Sequence, residues 1–597
     1  MAIRHDPVDV VTIGAGLTAT IVAARLTRAG RTVVSLERGG AQWTYPDFAH
    51  NHDHLRYAVR FEMMQDLAQE TWTWRPNPRL PALPMRQYGA FHPGQGVGGS
   101  MVHWTAMLWR FQPDDFRLRS RIVERYGAGK LPPNNRIRDW PVTYAELERH
   151  YDAFEYDIGA SGRAGNLNGT LLAGGNPFEG PRARPYPLPP LAPSIPALMF
   201  DQAARESGYR PFPMPAGILS QAYKDASGRW RSGCLYCGYC TRYGCEVDAK
   251  YSPITTHLPM ALETGRYEVR PECAVLRVDT AADGRATGVT YLDAAGREHF
   301  QPAEVVLVSA YTLSNVRLLL LSRSRAHPGG LGNRRGQLGQ NLTYQTWKTP
   351  ATGTFAGRRF NLYMGNGATQ TVLTDFYGDN FDHGPLDFVG GAQLFCGGGE
   401  RDPLGSVQDV PPMSPNAAEG GPDADAGWGA AFKARMKEWD SYFPITIQGD
   451  SLPFAGQTLD LDPRYTDRLG RPLLRLTFDF NDNDRAMYRY VAQRCAELMR
   501  RMNPTRTTTA PELEPFNIHQ YNSTHVTGGA AMGATPADSV TNKYGQLWDV
   551  PNVFVTGAAL FPQNPGSNPS GTVAALAYMT ADALAERYFD DPGRLLG

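Results

Sequence analysis

Residues 8–37 read VDVVTIGAGLTATIVAARLTRAGRTVVSLE and decide the fold of the chain. A β-branched run leads into a glycine turn, an apolar-periodic stretch and a second β-branched run, which predicts a strand, a tight turn, a helix and a strand. Gly14, Gly16 and Ala19 fit the pattern G-x-G-x-x-G/A, and Glu37 ends the second strand near the expected spacing of about 20 residues. The stretch therefore predicts an α/β domain that binds a dinucleotide.

Each of these residues has a physical task at such a site. Gly14 permits the tight turn, and Gly16 lets the backbone approach a pyrophosphate, which then lies at the helix N-terminus where free N–H groups favour anions. Glu37 is placed to accept hydrogen bonds from ribose hydroxyls. An ordinary glycine turn of an α/β domain would explain the glycines, but it would leave the position of Glu37 as a coincidence.

Length and charge narrow the class of protein. A chain of 597 residues is long enough for several domains, or for one two-domain unit with its substrate site between the domains. Lys+Arg and Asp+Glu are both 59, and no basic run occurs, so nucleic acid is excluded as a partner. The N-terminus lacks the pattern of a signal peptide, and no run of about 18 apolar residues occurs, so we expect membrane attachment only through a partner subunit.

Four of the seven cysteines lie within twelve residues, which is not a disulfide framework. Cys234, Cys237, Cys240 and Cys245 nearly reproduce the bacterial ferredoxin run, with one extra residue before the last thiol, and favour an iron–sulfur centre. A structural zinc site is the alternative, although zinc usually takes two separated ligand pairs. Of the other three thiols, Cys273 and Cys495 are predicted to be buried in the core, and Cys396 is unassigned.

Three further segments carry a family resemblance. GQGVGGSMVHWTAMLWRFQPDDF (94–116), THVTGGAAMG (524–533) and TGAALFPQNPGSNPSGTVAALAYMTAD (556–582) resemble, in order, motifs of the glucose–methanol–choline (GMC) oxidoreductases, a family of FAD enzymes. The resemblance extends from the first strand to the last helix. It implies the GMC fold, with a Rossmann-like FAD-binding domain and a second, α+β substrate-binding domain built on an antiparallel sheet.

The resemblance also divides the chain. The discontinuous FAD-binding domain is expected to comprise residues 1–110, 231–345 and 518–597, and to include the cysteine-rich loop 232–253. Residues 111–230 and 346–517 are expected to form the substrate-binding domain and its elaborations. Within the latter, residues 397–428 are rich in Gly, Pro and Asp and predict a long loop.

Site residues follow from the same motifs. The resemblance implies that His525 is the base that takes the substrate's hydroxyl proton, and that Asn568 is its partner. His103 falls where some GMC enzymes link a histidine covalently to the flavin; a packing or substrate-side role is the alternative. Trp104 stands where asparagine is usual, so the flavin contacts of that asparagine are not carried over. Beyond Gly14, Gly16, Ala19 and Glu37, the expected cofactor contacts are Gly98, Gly99, Ser100, His103, Gly557, Ala558, Pro569 and Thr572.

The cysteine loop is similar to a segment of the membrane-associated sugar and sugar-acid dehydrogenases of the gluconate 2-dehydrogenase type. Their relatives of the fructose and glucose dehydrogenase branch hold a [3Fe–4S] cluster with a different spacing. The resemblance favours [3Fe–4S], although four thiols also allow [4Fe–4S]. It implies a small Tat-exported subunit and a multihaem cytochrome c subunit as partners, and work at the periplasmic face of the inner membrane.

The sequence therefore predicts an FAD-dependent dehydrogenase that oxidises a hydroxyl of a sugar, sugar acid or polyol. Electrons would pass from FAD through the cluster to the cytochrome or to quinone. Three alternatives stay open: an oxidase of the same fold with a structural metal in the cysteine loop, a non-catalytic electron-transfer flavoprotein, and an NAD-dependent dehydrogenase.

Overall fold

The computed structural model describes residues 2–48, 53–362, 367–397 and 429–595. Residues 398–428, which make up nearly all of the predicted long loop, lie outside this range. The helices are Leu17–Arg28, Leu118–Tyr126, Tyr144–Ile158, Ile195–Glu206, His257–Leu262, Thr312–Leu321, Gly429–Lys437, Asp482–Arg501 and Ser570–Ala583. None of the described helices is both long and apolar enough to cross a bilayer.

The first sheet is built on the predicted strand, turn, helix and strand. Val8–Ile13 and Val33–Leu36 are its strands, and Leu17–Arg28 is the helix between them. Six of its strands are parallel to one another: Ile3–Arg4, Val8–Ile13, Val33–Leu36, Tyr267–Arg270, Glu298–Val308 and Val553–Val555. The other two, Ala274–Thr280 and Ala286–Leu292, are antiparallel. The order is Tyr267–Arg270, Val33–Leu36, Val8–Ile13, Glu298–Val308, Ala286–Leu292 and Ala274–Thr280, with Ile3–Arg4 and Val553–Val555 also paired to Glu298–Val308.

A second, six-stranded sheet is antiparallel throughout. Its order is Arg506–Thr509, Thr346–Thr354, Tyr442–Gly449, Ala392–Cys396, Thr371–Leu373 and Phe212–Pro213. The long helix Asp482–Arg501 packs on it through apolar side chains such as Val491 and Cys495, which are fully buried. This combination of a parallel α/β sheet and an antiparallel sheet confirms the predicted fold class.

Smaller strand pairs complete the structure. A four-stranded sheet has the order Thr458–Thr466, Pro472–Thr477, Trp72–Arg75 and Leu83–Pro84. The two-stranded pairs are Asn166–Leu167 with Thr170–Leu171, and Tyr223–Lys224 with Trp230–Arg231. A third pair joins Thr343–Tyr344 to Val526–Thr527. Because Tyr344 pairs with Val526, the adjoining residues Gln345 and His525 come to lie side by side.

Helix packing fixes the end of the chain against its beginning. Ser570–Ala583 packs on both Leu17–Arg28 and Tyr144–Ile158, through small side chains such as Ala574 and Ala577, which are almost completely buried. Small residues let two helices approach closely. The loop before the last helix, which carries Asn568, is thereby held next to the first glycine turn.

Candidate active site

The first glycine turn has the backbone conformation that its sequence predicts. Gly14 adopts a φ of +99°, and its N–H donates to Leu36 O at 2.8 Å. A Cβ atom there would lie 3.1 Å from Ser309 O, so both conformation and space require glycine. Ala19 lies completely buried in the first helix, where it contributes to packing.

A second glycine loop lies against the first. Gly98 and Gly99 have φ values of +95° and +58°, and Gly98 N–H donates to Ala15 O at 2.9 Å. A Cβ on Gly99 would lie 3.3 Å from the Cα of Gly16. Residues far apart in sequence thus form one backbone-lined cradle beside the N-terminus of the helix Leu17–Arg28.

Glu37 joins the two loops. Its buried carboxylate accepts hydrogen bonds from the N–H groups of Ala15 at 3.1 Å, Gly39 at 2.8 Å and Gly96 at 3.3 Å. Burial raises the pKa of this carboxyl, while the three backbone donors oppose that shift. Sequence reasoning assigned Glu37 to the ribose alone and missed this bridging role, for which the motif holds no signal.

The C-terminal motif adds the third side of the cradle. Gly557 has a φ of +97°, and the neighbouring Thr556 hydroxyl donates to that of Thr18 at 2.9 Å. Pro569 is buried directly before the last helix. The Thr572 hydroxyl lies 2.6 Å from that of Tyr151, so this side chain ties two helices together.

Solvent accessibility differs among the twelve predicted contact positions. Six of them are partly accessible although they lie in otherwise largely buried stretches: Gly14, Gly16, Gly99, Ser100, Gly557 and Ala558. A glycine-lined, elongated surface of this kind fits the pyrophosphate and ribose of a dinucleotide.

His103 supplies an unsatisfied polar atom at the same place. Its ring is buried, and Nε2 makes no hydrogen bond within the described part of the chain. Burial, together with nearby Lys250 and Arg242, lowers its pKa to about 3, so the ring is neutral. A buried nitrogen without a protein partner fits a histidine that faces a cofactor.

The structure brings the two predicted catalytic residues together. Asn568 Nδ2 lies 3.3 Å from His525 Nε2. The indole N–H of Trp109 donates to Asn568 Oδ1 at 3.0 Å, a contact that sequence reasoning missed. His525 is partly accessible, yet protein encloses it and lowers its pKa to about 3, so its imidazole is neutral.

Gln345 is a neighbour of His525 for which the sequence offered no motif. Its Oε1 lies 2.7 Å from His525 Nδ1. The two residues are 180 positions apart in the chain and meet only because the short strands Thr343–Tyr344 and Val526–Thr527 pair. Only a prediction that these two strands pair could have identified Gln345 from the sequence.

The four predicted ligand cysteines line one small cavity of about 20 Å³. Two of their sulfur atoms accept backbone N–H groups, Cys234 from Tyr236 at 3.3 Å and Cys245 from Lys250 at 3.5 Å. Among the described residues, no group of three or more His, Cys, Asp and Glu side chains is arranged so that it could hold a metal ion. The predicted cluster therefore stays a prediction.

The cysteine loop is tied to the segment that follows the second glycine loop. Arg242 N–H donates to His103 O at 2.7 Å, and the Lys250 ammonium donates to Trp104 O at 2.9 Å. The hydroxyls of Thr105 and Thr241 lie 2.9 Å apart. The loop is thus held directly beside the cradle.

The remaining thiols lie in the core. Cys273 and Cys495 are buried, as predicted. Cys396 is also buried, and its thiol donates to Pro444 O at 3.3 Å.

A glycine-lined cradle next to a histidine–asparagine pair is compatible with a flavin-dependent alcohol oxidoreductase. Models of the GMC oxidoreductase family match residues 216–347 and 455–577. The chain is 38% identical to the gluconate 2-dehydrogenase flavoprotein of Pantoea cypripedii, over 99% of this chain and 95% of that protein. It therefore belongs to the GMC oxidoreductase family.

Two more distant relatives cover nearly the whole chain as well. The 2-methyl-1,2-propanediol dehydrogenase of Mycolicibacterium austroafricanum is 28% identical over 99% of this chain and 97% of its own. The fructose dehydrogenase large subunit of Gluconobacter japonicus is 24% identical over 96% and 97%. The chain is accordingly an FAD-dependent enzyme that acts on CH–OH groups. The alternatives of a non-catalytic electron-transfer flavoprotein and of an NAD-dependent dehydrogenase are set aside.

Proposed function

We propose that the chain is the flavoprotein subunit of a dehydrogenase that oxidises a hydroxyl of a sugar, a sugar acid or a polyol. The carrying observation is the 3.3 Å approach of Asn568 Nδ2 to His525 Nε2 at a partly accessible position. A base and an amide donor converging on one point suit the removal of a hydroxyl proton while the oxygen is held.

Each side chain has a defined task in this proposal. Neutral His525 accepts the hydroxyl proton at Nε2, and the Asn568 amide, by donating to the same substrate oxygen instead of to Nε2, leaves that lone pair free to do so. FAD, when bound, supplies the acceptor for the hydride. Its contacts would come from the glycine loops, Glu37, His103 and the segment around Gly557.

The surroundings of His525 support a substrate with several hydroxyl groups. The indole of Trp347 lies 6.3 Å from the imidazole, centre to centre. Aromatic side chains of this kind pack on the C–H faces of sugars. The names of the relatives include a sugar, a sugar acid and a diol, which agrees with this range.

Cys234, Cys237, Cys240 and Cys245 would hold an iron–sulfur centre in this proposal. The shared cavity and the N–H groups that face two of the sulfurs support it, because such donors stabilise thiolate ligands. Such a centre would supply one-electron transfer away from the flavin. The family resemblance favours [3Fe–4S], and [4Fe–4S] is compatible with four thiols.

The surface beside the cysteine loop supports a partner subunit. Leu235 is 61% exposed, Trp230 72% and Tyr45 81%. Thr44 and Arg229 both contact Asp248 of the loop, so the segments that carry these side chains lie close to it. We infer that a multihaem cytochrome c subunit and a small Tat-exported subunit bind this chain at the periplasmic face of the inner membrane.

The test is reduction of the purified, FAD-loaded protein without oxygen by a panel of sugars, sugar acids, polyols and diols. We expect one member to bleach the flavin absorbance, His525→Ala to abolish bleaching and His519→Ala to leave it intact. Bleaching by no member, or undiminished bleaching in His525→Ala, would overturn the proposal.

Two measurements separate the finer parts of the proposal. Iron and acid-labile sulfide in anaerobically prepared protein are expected to accompany the four thiols, and zinc or no metal would remove the cluster from the proposal. Hydrogen peroxide formed in proportion to product in air would favour the alternative of an oxidase.

A further inference from the structure

We propose that Gln345 is a positioning residue that holds His525 in the one tautomer able to act as a base, with the proton on Nδ1 and the lone pair on Nε2. This inference rests on the proposed function of His525 and deepens it. It depends on the orientation of the amides at both ends of the imidazole.

The orientation of the Gln345 amide is fixed by its Nε2. That nitrogen contacts only acceptors: Asn564 Oδ1 at 2.9 Å, Ser567 O at 2.8 Å and Pro565 O. Asn564 is itself oriented, because its Nδ2 donates to His525 O at 2.7 Å. Gln345 therefore presents Oε1 to the ring, and an oxygen at 2.7 Å requires the proton on Nδ1.

The other end of the ring selects the same tautomer. The Trp109 N–H donates to Asn568 Oδ1, so Asn568 must present Nδ2 to the ring. At 3.3 Å this N–H group needs an acceptor, which is the lone pair of His525 Nε2.

Gln448 shows why Gln345 is needed. Its Nε2 lies 3.2 Å from His525 Nδ1 and 2.6 Å from Gln345 Oε1, while its Oε1 accepts from Gln393 at 3.0 Å. Without Gln345 Oε1, the Gln448 N–H would donate to Nδ1 and draw the proton to Nε2. That tautomer has no lone pair for the substrate's hydroxyl proton.

The amide row is rigid. The side chains of Gln345, Gln393 and Gln448 are fully buried. Gln345 directly follows a paired strand, and Gln393 and Gln448 lie in strands that pair with each other. A buried hydrogen-bonded amide reorients only by breaking its bonds, so the row keeps the imidazole in one state between turnovers.

The test compares Gln345→Met, the double variant Gln345→Met/Gln448→Met and the control Gln457→Met. Gln457 is a buried glutamine whose Nε2 donates to Asp479 O and which has no contact with the histidine. We expect Gln345→Met to lower kcat by about 100-fold or more with a much smaller change in KM, since a wrong tautomer costs that much in a histidine-dependent active site. The control is expected to keep wild-type kcat.

The double variant distinguishes positioning from general damage. It also lacks the competing donor, so we expect its kcat to recover about 10-fold over Gln345→Met, although it has lost more hydrogen bonds. In ¹⁵N spectra of histidine-labelled protein, the unprotonated nitrogen of His525 should move from Nε2 to Nδ1 in Gln345→Met only. Far-UV circular dichroism checks that each variant is folded.

Two results would overturn the inference. Gln345→Met with wild-type kcat and an unchanged tautomer is one, and a double variant slower than the single variant is the other. These outcomes are distinct from failure of the proposed function, in which wild-type protein oxidises no alcohol or His525→Ala turns over normally; the spectra report the tautomer even then.

Discussion

The ammonium group of Lys250 donates a hydrogen bond to the carbonyl oxygen of Trp104 at 2.9 Å and so joins the cysteine loop to the flavin side of the molecule. The same group donates to the carbonyl oxygens of Cys240 and Tyr243, both at 2.7 Å. A buried lysine that serves three carbonyls holds the loop at a fixed distance from the cradle. In the proposed function, electron transfer across this junction would depend on that distance.

Replacing Lys250 by methionine should therefore separate two half-reactions. Three buried carbonyls lose their donor, which costs on the order of 3 kcal/mol of folding free energy. We expect flavin reduction by substrate to stay within about twofold of wild type, and transfer to an external one-electron acceptor to slow about 10-fold or more. Stopped-flow measurement of both steps checks this, with exposed Lys224→Met as control. Equal slowing of both steps would contradict the assignment.

The pH dependence of flavin reduction follows from His525. Burial among neutral amides and an indole lowers its pKa to about 3, so the base is unprotonated at every pH above about 5. We expect a rate of substrate oxidation without an acidic limb between pH 5 and pH 8, measured as the initial rate of flavin bleaching. An acidic limb centred near pH 6.5 would refute this.

The same shift predicts how stability responds to pH. Between about pH 6.5 and about pH 3, His525 is protonated in the unfolded chain but neutral in the folded chain. The free energy of unfolding should therefore fall as pH falls from about 6.5 toward about 3, and this part of the fall should be absent in His525→Asn. Urea unfolding at pH 5 and pH 7.5 measures the difference, which should be about 2 kcal/mol smaller in the variant.

Glu37→Gln should weaken FAD binding. The new amide nitrogen would face a backbone N–H of Ala15, Gly39 or Gly96 in place of an oxygen, so one bond between the glycine loops is lost and a donor faces a donor. We expect the dissociation constant for FAD to rise about 10-fold or more, as measured by fluorescence titration of apoprotein. The exposed carboxylate of Glu263 offers the control Glu263→Gln. Unchanged affinity in Glu37→Gln would show that the loops hold their positions without the bridge.

Trp109→Phe should lower kcat through Asn568. Without the indole donor at 3.0 Å, the Asn568 amide is free to turn and present its oxygen to His525. We expect kcat to fall about 10-fold, with thermal stability within the range of the control Trp140→Phe. Trp140 is also buried, and its indole nitrogen makes no hydrogen bond within the described residues. Equal kcat values for the two variants would contradict an orienting role.

Several features of this protein were readable in the linear order of residues. The β-branched runs flanking Gly14 and Gly16 predicted the strand, turn and helix, because backbone conformation there follows from local sterics and from the periodic spacing of apolar side chains. The family motifs likewise predicted that Gly98, Gly557, His525 and Asn568 belong to one site. Motifs of this kind indicate which residues share a site, but they do not show how the chain folds to bring them together.

The tertiary structure alone decided the direction of each hydrogen bond at that site. Gln345 carries no motif, and it reaches His525 only because two short strands pair across 180 residues. The same holds for Trp109 against Asn568, Lys250 against Trp104, and the three backbone donors around Glu37. Sequence by itself indicated the glycine loops and the His525–Asn568 pair of the site. The folded chain added their neighbours and determined which groups donate and which accept, because the orientation of a buried amide depends on partners supplied by distant segments.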